Sequence, residues 1–140
     1  MATTAKTFTF NVDGKEIKIR VSMSFDRPVC KWGAYRYRYN VYVSCNGLKL
    51  RTKYHDSVYA YRNGKKVANE QDLFDCLNAL LNDACAAMDC RDFYEFKEHY
   101  GNTISEYRAC LAICDKFTAM FDGDENKIFD ILNIMNGIEV

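Results

Sequence analysis

Histidine is scarce in this chain: two of 140 residues, His55 and His99. His55 stands beside Asp56 at the expected end of a strand, and His99 beside Glu98 near the end of a short helix. A nucleophile–base pair would need one of them next to a serine or cysteine in space. No G-x-S-x-G elbow, phosphate-binding loop or kinase signature occurs. The chain is therefore expected not to be an enzyme and to need no cofactor. Long apolar runs are missing as well. No stretch approaches the ~20 apolar residues of a membrane span. Met1 to Phe10 carry one lysine and no apolar run of signal-sequence length, which implies a soluble, cytoplasmic protein. Internal repeats and low-complexity segments are also lacking, so residues 1–140 are expected to form a single domain.

Paired cysteine motifs are absent although cysteine itself is not. The seven cysteines are Cys30, Cys45, Cys76, Cys85, Cys90, Cys110 and Cys114. Their number is odd, and no C-x-x-C pair occurs. Cys110 and Cys114 are spaced i, i+4, as two zinc ligands on one helical face would be. They fall on an apolar stripe, however, where cysteine serves as a small core residue. No metal is expected there. Nor is calcium expected at Asp122, Asp124 and Glu125, which lack the alternating ligands and closing glutamate of an EF-hand.

Net charge is zero, but it is unevenly distributed. Residues 1–67 hold 14 Lys/Arg and 4 Asp/Glu, whereas residues 68–140 hold 5 Lys/Arg and 15 Asp/Glu. A basic half followed by an acidic half points to nucleic acid or a charged partner. Alternatively, the two poles cancel within the fold.

The basic half alternates with period two. Phe8, Phe10 and Val12 precede Asp13-Gly14, a strong hairpin signal, because a type I′ turn needs positive φ at both central positions. Ile17, Ile19, Val21, Met23 and Phe25 continue the alternation. Arg27-Pro28 is expected to break this second strand, and Gly33 to mark a loop. A third strand from about Tyr35 to Cys45 leads through Asn46-Gly47 to a fourth, from Leu48 to about Tyr54. Asn63-Gly64 is a further turn signal.

The acidic half has helical spacing. Asn69 is the expected N-cap of a first helix carrying Leu73, Phe74, Leu77, Leu80, Leu81, Ala84, Cys85 and Met88. Asp89 is the expected cap of a short second helix ending at Gly101. Thr103 and Glu106 form a T-x-x-E capping box for a third. A fourth is expected over about Asp124 to Met135. Strands followed by helices give an α+β fold. The expected architecture is an antiparallel N-terminal sheet of four strands, or slightly more, with about four helices packed on one face.

The candidate site lies on the other face of that sheet. Period-two alternation assigns Lys18 and Arg20, Arg36 and Arg38, and Lys49, Arg51 and Lys53 to one solvent face of an antiparallel meander. Seven cations with no acid at those positions exceed what solubility requires. Trp32 and Tyr42 lie among them and can stack on bases. No RNP-type or helix-turn-helix motif accompanies them. The acidic helices, bearing Glu70, Asp72, Asp75, Asp83, Asp89, Asp92, Glu95 and Glu98, have a second reading, as occupants of a basic groove in a nucleic-acid enzyme.

The run from Met88 through Asp92, Phe93, Phe96 and Tyr100 to Gly101, with Ser105-Glu106-Tyr107-Arg108-Ala109-Cys110 after it, resembles a group of small phage, prophage and plasmid proteins. In that group an F-x-x-F-x-x-x-(F/Y)-G segment precedes a helix opening with Y-x-A-C. The resemblance covers about 50 of the 140 residues, mainly 73–121. It departs from the pattern at Gly101-Asn102-Thr103, where Gly-Tyr-Asp is usual. Such accessory proteins include anti-CRISPR inhibitors. The resemblance thus implies a protein that binds a CRISPR effector nuclease, or its ribonucleoprotein, in the cytoplasm of a bacterial host and blocks DNA loading or cleavage. A single-protein type II effector is one such target. The other functions weighed are a DNA- or RNA-binding accessory protein and a structural, oligomeric phage protein.

Overall fold

The computed structural model describes residues 3–31, 34–59, 69–101 and 103–137; for residues 29–31, 34–36 and 52–59 only the backbone is described. Four strands come first: β1 (Thr3–Val12), β2 (Lys15–Lys31), β3 (Ala34–Cys45) and β4 (Leu48–Tyr59). Four helices follow: α1 (Glu70–Asp89), α2 (Phe93–Tyr100), α3 (Ile104–Met120) and α4 (Lys127–Met135). The strands form one sheet in the order β1-β2-β3-β4, with antiparallel neighbours. This is the α+β arrangement that the hydrophobic periodicity predicts.

Both expected hairpin turns form. Asp13 and Gly14 have φ of 53° and 76°, and Asn46 and Gly47 have 48° and 81°, the positive values of a type I′ turn. Asn46 also ties this turn to β2, since its Oδ1 accepts the Lys18 backbone N–H at 2.8 Å.

One expectation fails in β2. Arg27-Pro28 does not end the strand. Pro28 pairs with Tyr37, and β2 runs on to Lys31. The register instead shifts between Phe25 and Arg27 and leaves Asp26 as an extra residue. A bulge of this kind absorbs an irregularity without terminating the pairing. β4 is likewise longer than expected, reaching Tyr59 rather than Tyr54. Gly33 and Asn63-Gly64 lie outside the described residues.

The chain divides into two compact units, one of Met1–Thr9 and Ile17–Leu77, the other of Phe10–Glu16 and Asn78–Val140. In the first, Ile17, Ile19, Val21, Met23, Tyr39, Val41, Val43 and Cys45 are buried on one face of the sheet. The register sets Ile19 against Cys45, Val21 against Val43 and Met23 against Val41, so this face is continuous across β2 and β3. The first turns of α1 belong to the same unit. Phe74 meets Phe8 edge-on at 6.0 Å, and Lys6 Nζ pairs with Glu70 at 2.9 Å.

α1 opens with a reciprocal cap. Asn69 Oδ1 accepts the Asp72 N–H at 2.9 Å, and Asp72 Oδ2 accepts the Asn69 N–H at 2.9 Å. Asp72 is 1 % exposed, so this carboxylate belongs to the cap rather than to the acidic surface. Asn69→Ala should lower stability by about 0.5–2 kcal/mol, the usual cost of a lost N-cap. Denaturant unfolding at an unchanged m-value checks it.

In the second unit the hairpin tip is tied to the helices. Lys127 bridges Asp13 and, at 3.3 Å, Asp130, while Lys15 Nζ donates to the Met120 carbonyl at 2.7 Å. The cap of α2 is Asp92, not Asp89. Asp89 is the last residue of α1, and Asp92 Oδ1 accepts the Glu95 N–H at 3.0 Å. Thr103 caps α3 as expected, accepting from Glu106 N–H at 3.2 Å. α4 starts at Lys127 rather than Asp124, because Asp124 Oδ1 takes the Asn126 N–H in a local turn.

Candidate phosphate-binding face

The outer face of β2, β3 and β4 is built by simple alternation. Lys18, Arg20 and Tyr42 alternate with buried apolar residues, Lys49 lies between the exposed Leu48 and the buried Leu50, and all four are exposed. In the register Arg20 stands opposite Ser44, and Ser44 opposite Lys49. The row therefore reads cation, hydroxyl, cation across three strands. Adjacent strands lie about 4.8 Å apart, which places the two cationic positions on the order of 10 Å from each other.

Arg51 joins this row through an irregularity. The β3–β4 register shifts on either side of Val43, which pairs with Arg51 while Ser44 pairs with Lys49. Leu50 is the skipped residue and is buried at 3 % exposure. The shift brings Arg51 beside the outer-face residues, and a pocket of about 160 Å³ is lined by Arg20, Tyr42, Val43, Ser44, Lys49 and Arg51. None of these lining residues is acidic. Such a pocket can take an anion: guanidinium and ammonium groups give charge-assisted hydrogen bonds to phosphate oxygens, and Ser44 supplies a neutral donor between them.

The expected site residues thus fall into three groups. Arg20, Tyr42, Lys49 and Arg51 are brought together. Lys18 is exposed on the same strand as Arg20, next to the Asn46 turn, and does not line the pocket. Arg38 is set apart, since its Nε lies 3.2 Å from Asp26 Oδ2 and both side chains are about one-third exposed or less. Trp32 lies outside the described residues, as do the side chains of Arg36 and Lys53. Their backbones belong to β3 and β4, with Arg36 paired to Val29 and Tyr59.

Two participants are not apparent from cation spacing. Ser44 is an ordinary strand serine until the register sets it between Arg20 and Lys49. Asp26 neutralises Arg38 because the bulge makes it the extra residue. The face expected to be free of acids therefore carries carboxylates among the described residues, Asp26 beside Arg38 and the exposed Glu16 in line with Lys18 and Arg20, whereas the residues that line the pocket include none.

The acidic helical residues are largely engaged locally. Glu70 pairs with Lys6, Asp72 and Asp92 cap helices, Gln71 donates to Asp75 at 2.8 Å, and Arg91 Nε lies 2.7 Å from Glu95. Among the described residues no group of three His, Cys, Asp or Glu is placed to hold a metal ion, and no helix is long and apolar enough to cross a membrane.

The described cysteines are free thiols. Cys45, Cys76, Cys85, Cys110 and Cys114 are buried and Cys90 is half-buried. Burial pushes Cys85 up to about 11 and Cys114 up to about 12, the latter also through Cys85 and Cys110. Cys114 Sγ donates to the Ala84 carbonyl at 3.2 Å. Neither is a thiolate at neutral pH, so neither is primed as a nucleophile. Unfolded thiols deprotonate near the ordinary value of 9.0. From there up to about 11 the folded state holds protons that the unfolded state has lost. This contribution to stability is thus complete below that window and falls as pH rises through it. At pH 8 a thiol–disulfide reagent should modify Cys85 and Cys114 only after denaturant is added.

No protein-family model, curated protein or solved structure matches this chain. The geometry of the basic face therefore carries the functional reading.

Proposed function

We propose that this chain is a small non-catalytic binding protein that takes the phosphate backbone of nucleic acid on the outer face of its sheet. The observation that carries it is the convergence of Arg20, Lys49 and Arg51 on one pocket that Ser44 also lines and that has no acidic lining residue. A solubilising surface intersperses both signs, whereas a phosphate-binding one gathers cations around a cleft. In the setting that the resemblance implies, the nucleic acid is the guide RNA of a CRISPR effector. The chain is then a stoichiometric, mobile-element-encoded inhibitor in the bacterial cytoplasm. The local engagement of the acidic helical residues favours the basic face over DNA mimicry by the helices.

The test has two arms. Fluorescence anisotropy with a labelled RNA of about 20 nucleotides and a duplex DNA, across a range of salt, should show binding that weakens steeply with salt. A pull-down against purified CRISPR effectors, with and without guide, should capture one effector only when guide is present. Nucleic-acid binding with no effector captured supports the accessory-protein alternative and removes the inhibitor setting. Absence of binding in both arms, together with a defined homo-oligomer, defeats the proposal in favour of a structural role.

A further inference from the structure

We infer that the pocket selects single-stranded over duplex nucleic acid, seating one backbone phosphate between its cations while the adjoining base stacks on Tyr42; this rests on the nucleic-acid reading above. The volume decides how the ligand divides. At about 160 Å³ the pocket is well below the roughly 300 Å³ at which small-molecule sites begin. It is several times the share of about 30 Å³ that one water occupies. A phosphate group with its waters fits among the cations, and because the pocket is open to solvent on one side the attached sugar and base can extend beyond it.

Tyr42 is where the base can go. It lines the pocket and is 43 % exposed; among the described residues of the sheet it is the one aromatic side chain exposed to this extent. Its position follows from strand alternation, between the buried Val41 and Val43. A base of a flexible single strand can turn onto such a ring, and stacking of this kind tolerates any sequence because every base has a π-face. In a duplex the bases are stacked on one another inside the helix. Only the phosphates reach the pocket, and the ring contributes little. Single-stranded RNA and DNA share the groups required, so both are probes.

The experiment compares wild type, Tyr42→Ala and Tyr42→Phe on single-stranded RNA, single-stranded DNA and duplex DNA at one fixed salt concentration. Circular dichroism is recorded for each variant to confirm the fold. Tyr42→Ala should weaken both single strands by roughly 5- to 150-fold, the loss of one base–aromatic stack. It should change duplex affinity by less than about twofold, and Tyr42→Phe should bind like wild type. Equal losses on single strand and duplex, or none on single strand, would overturn the inference and leave the phosphate-binding reading in place. A loss with Tyr42→Phe matching that with Tyr42→Ala would also overturn it, by assigning the effect to the hydroxyl. Wild type that binds no nucleic acid at all would remove both.

Discussion

Replacing Arg20 and Lys49 together with glutamate should reduce affinity for single-stranded RNA by at least ~100-fold without unfolding the protein. Two charge-assisted hydrogen bonds to phosphate disappear, each worth about 1.5–3 kcal/mol, and together they correspond to ~100-fold or more before the new repulsion is counted. The same double change should flatten the dependence of log affinity on log salt by roughly 0.7, the contribution of the one single-strand phosphate seated between the two cations. Both side chains are exposed, so the fold has little to lose. Arg38→Ala is the discriminating control. Arg38 lies 3.2 Å from Asp26, outside the pocket, and its loss should change affinity only a few-fold. If Arg38→Ala costs as much as the double reversal, a diffuse positive field binds the ligand and the pocket does not.

Much of this fold is written in local sequence. The alternation of Ile17 to Phe25 and the turns at Asp13-Gly14 and Asn46-Gly47 define the sheet, because a period of two and positive φ at two adjacent positions leave few alternatives. The helices announce themselves through Leu73, Leu77, Leu81 and their neighbours and through the caps at Asn69 and Thr103. The irregularities of register are not legible. Strict alternation carries no sign of an extra residue at Asp26, or of the shifts that bring Arg51 up beside Arg20. Those shifts are settled by long-range pairing between strands, to which a local pattern is blind. For the same reason the site is only half visible in the sequence. Its cations can be assigned to one face, but which of them converge, and that Ser44 stands between two of them, depends on cross-strand neighbours. Asp89 and Asp92 show a smaller form of the problem. Either aspartate can cap a helix, and only the observed bond from Glu95 N–H to Asp92 decides between them.

Phe96→Ala should be among the most damaging single substitutions in the helical unit, costing about 3–5 kcal/mol, as large-to-small changes at buried aromatic positions do. Phe96 is fully buried, and its ring lies 5.2 Å from both Tyr100 and Tyr107, while Phe93 lies 5.8 Å from Tyr107. Each such ring pair adds about 0.5–1.5 kcal/mol beyond burial. These are the residues of the F-x-x-F-x-x-x-(F/Y)-G segment and of the tyrosine that opens Y-x-A-C. Gly101 completes the set, with φ of 67° and its N–H bonded to the Lys97 carbonyl at 2.8 Å. The motif that carries the resemblance is therefore an aromatic cluster closed by a helix stop, and it is built from α2 and the start of α3. A segment of this kind specifies packing. It therefore says more about the fold than about a partner. Tyr94 provides the contrast: it lies between two motif positions yet is 78 % exposed, so Tyr94→Ser should shift stability by no more than about 0.5 kcal/mol. Urea unfolding of the two variants gives the comparison. Nucleic-acid binding measured where Phe96→Ala is still folded should match wild type, because the pocket belongs to the other unit. A loss of binding by folded Phe96→Ala would make the aromatic cluster part of the binding surface and move the functional site into the motif.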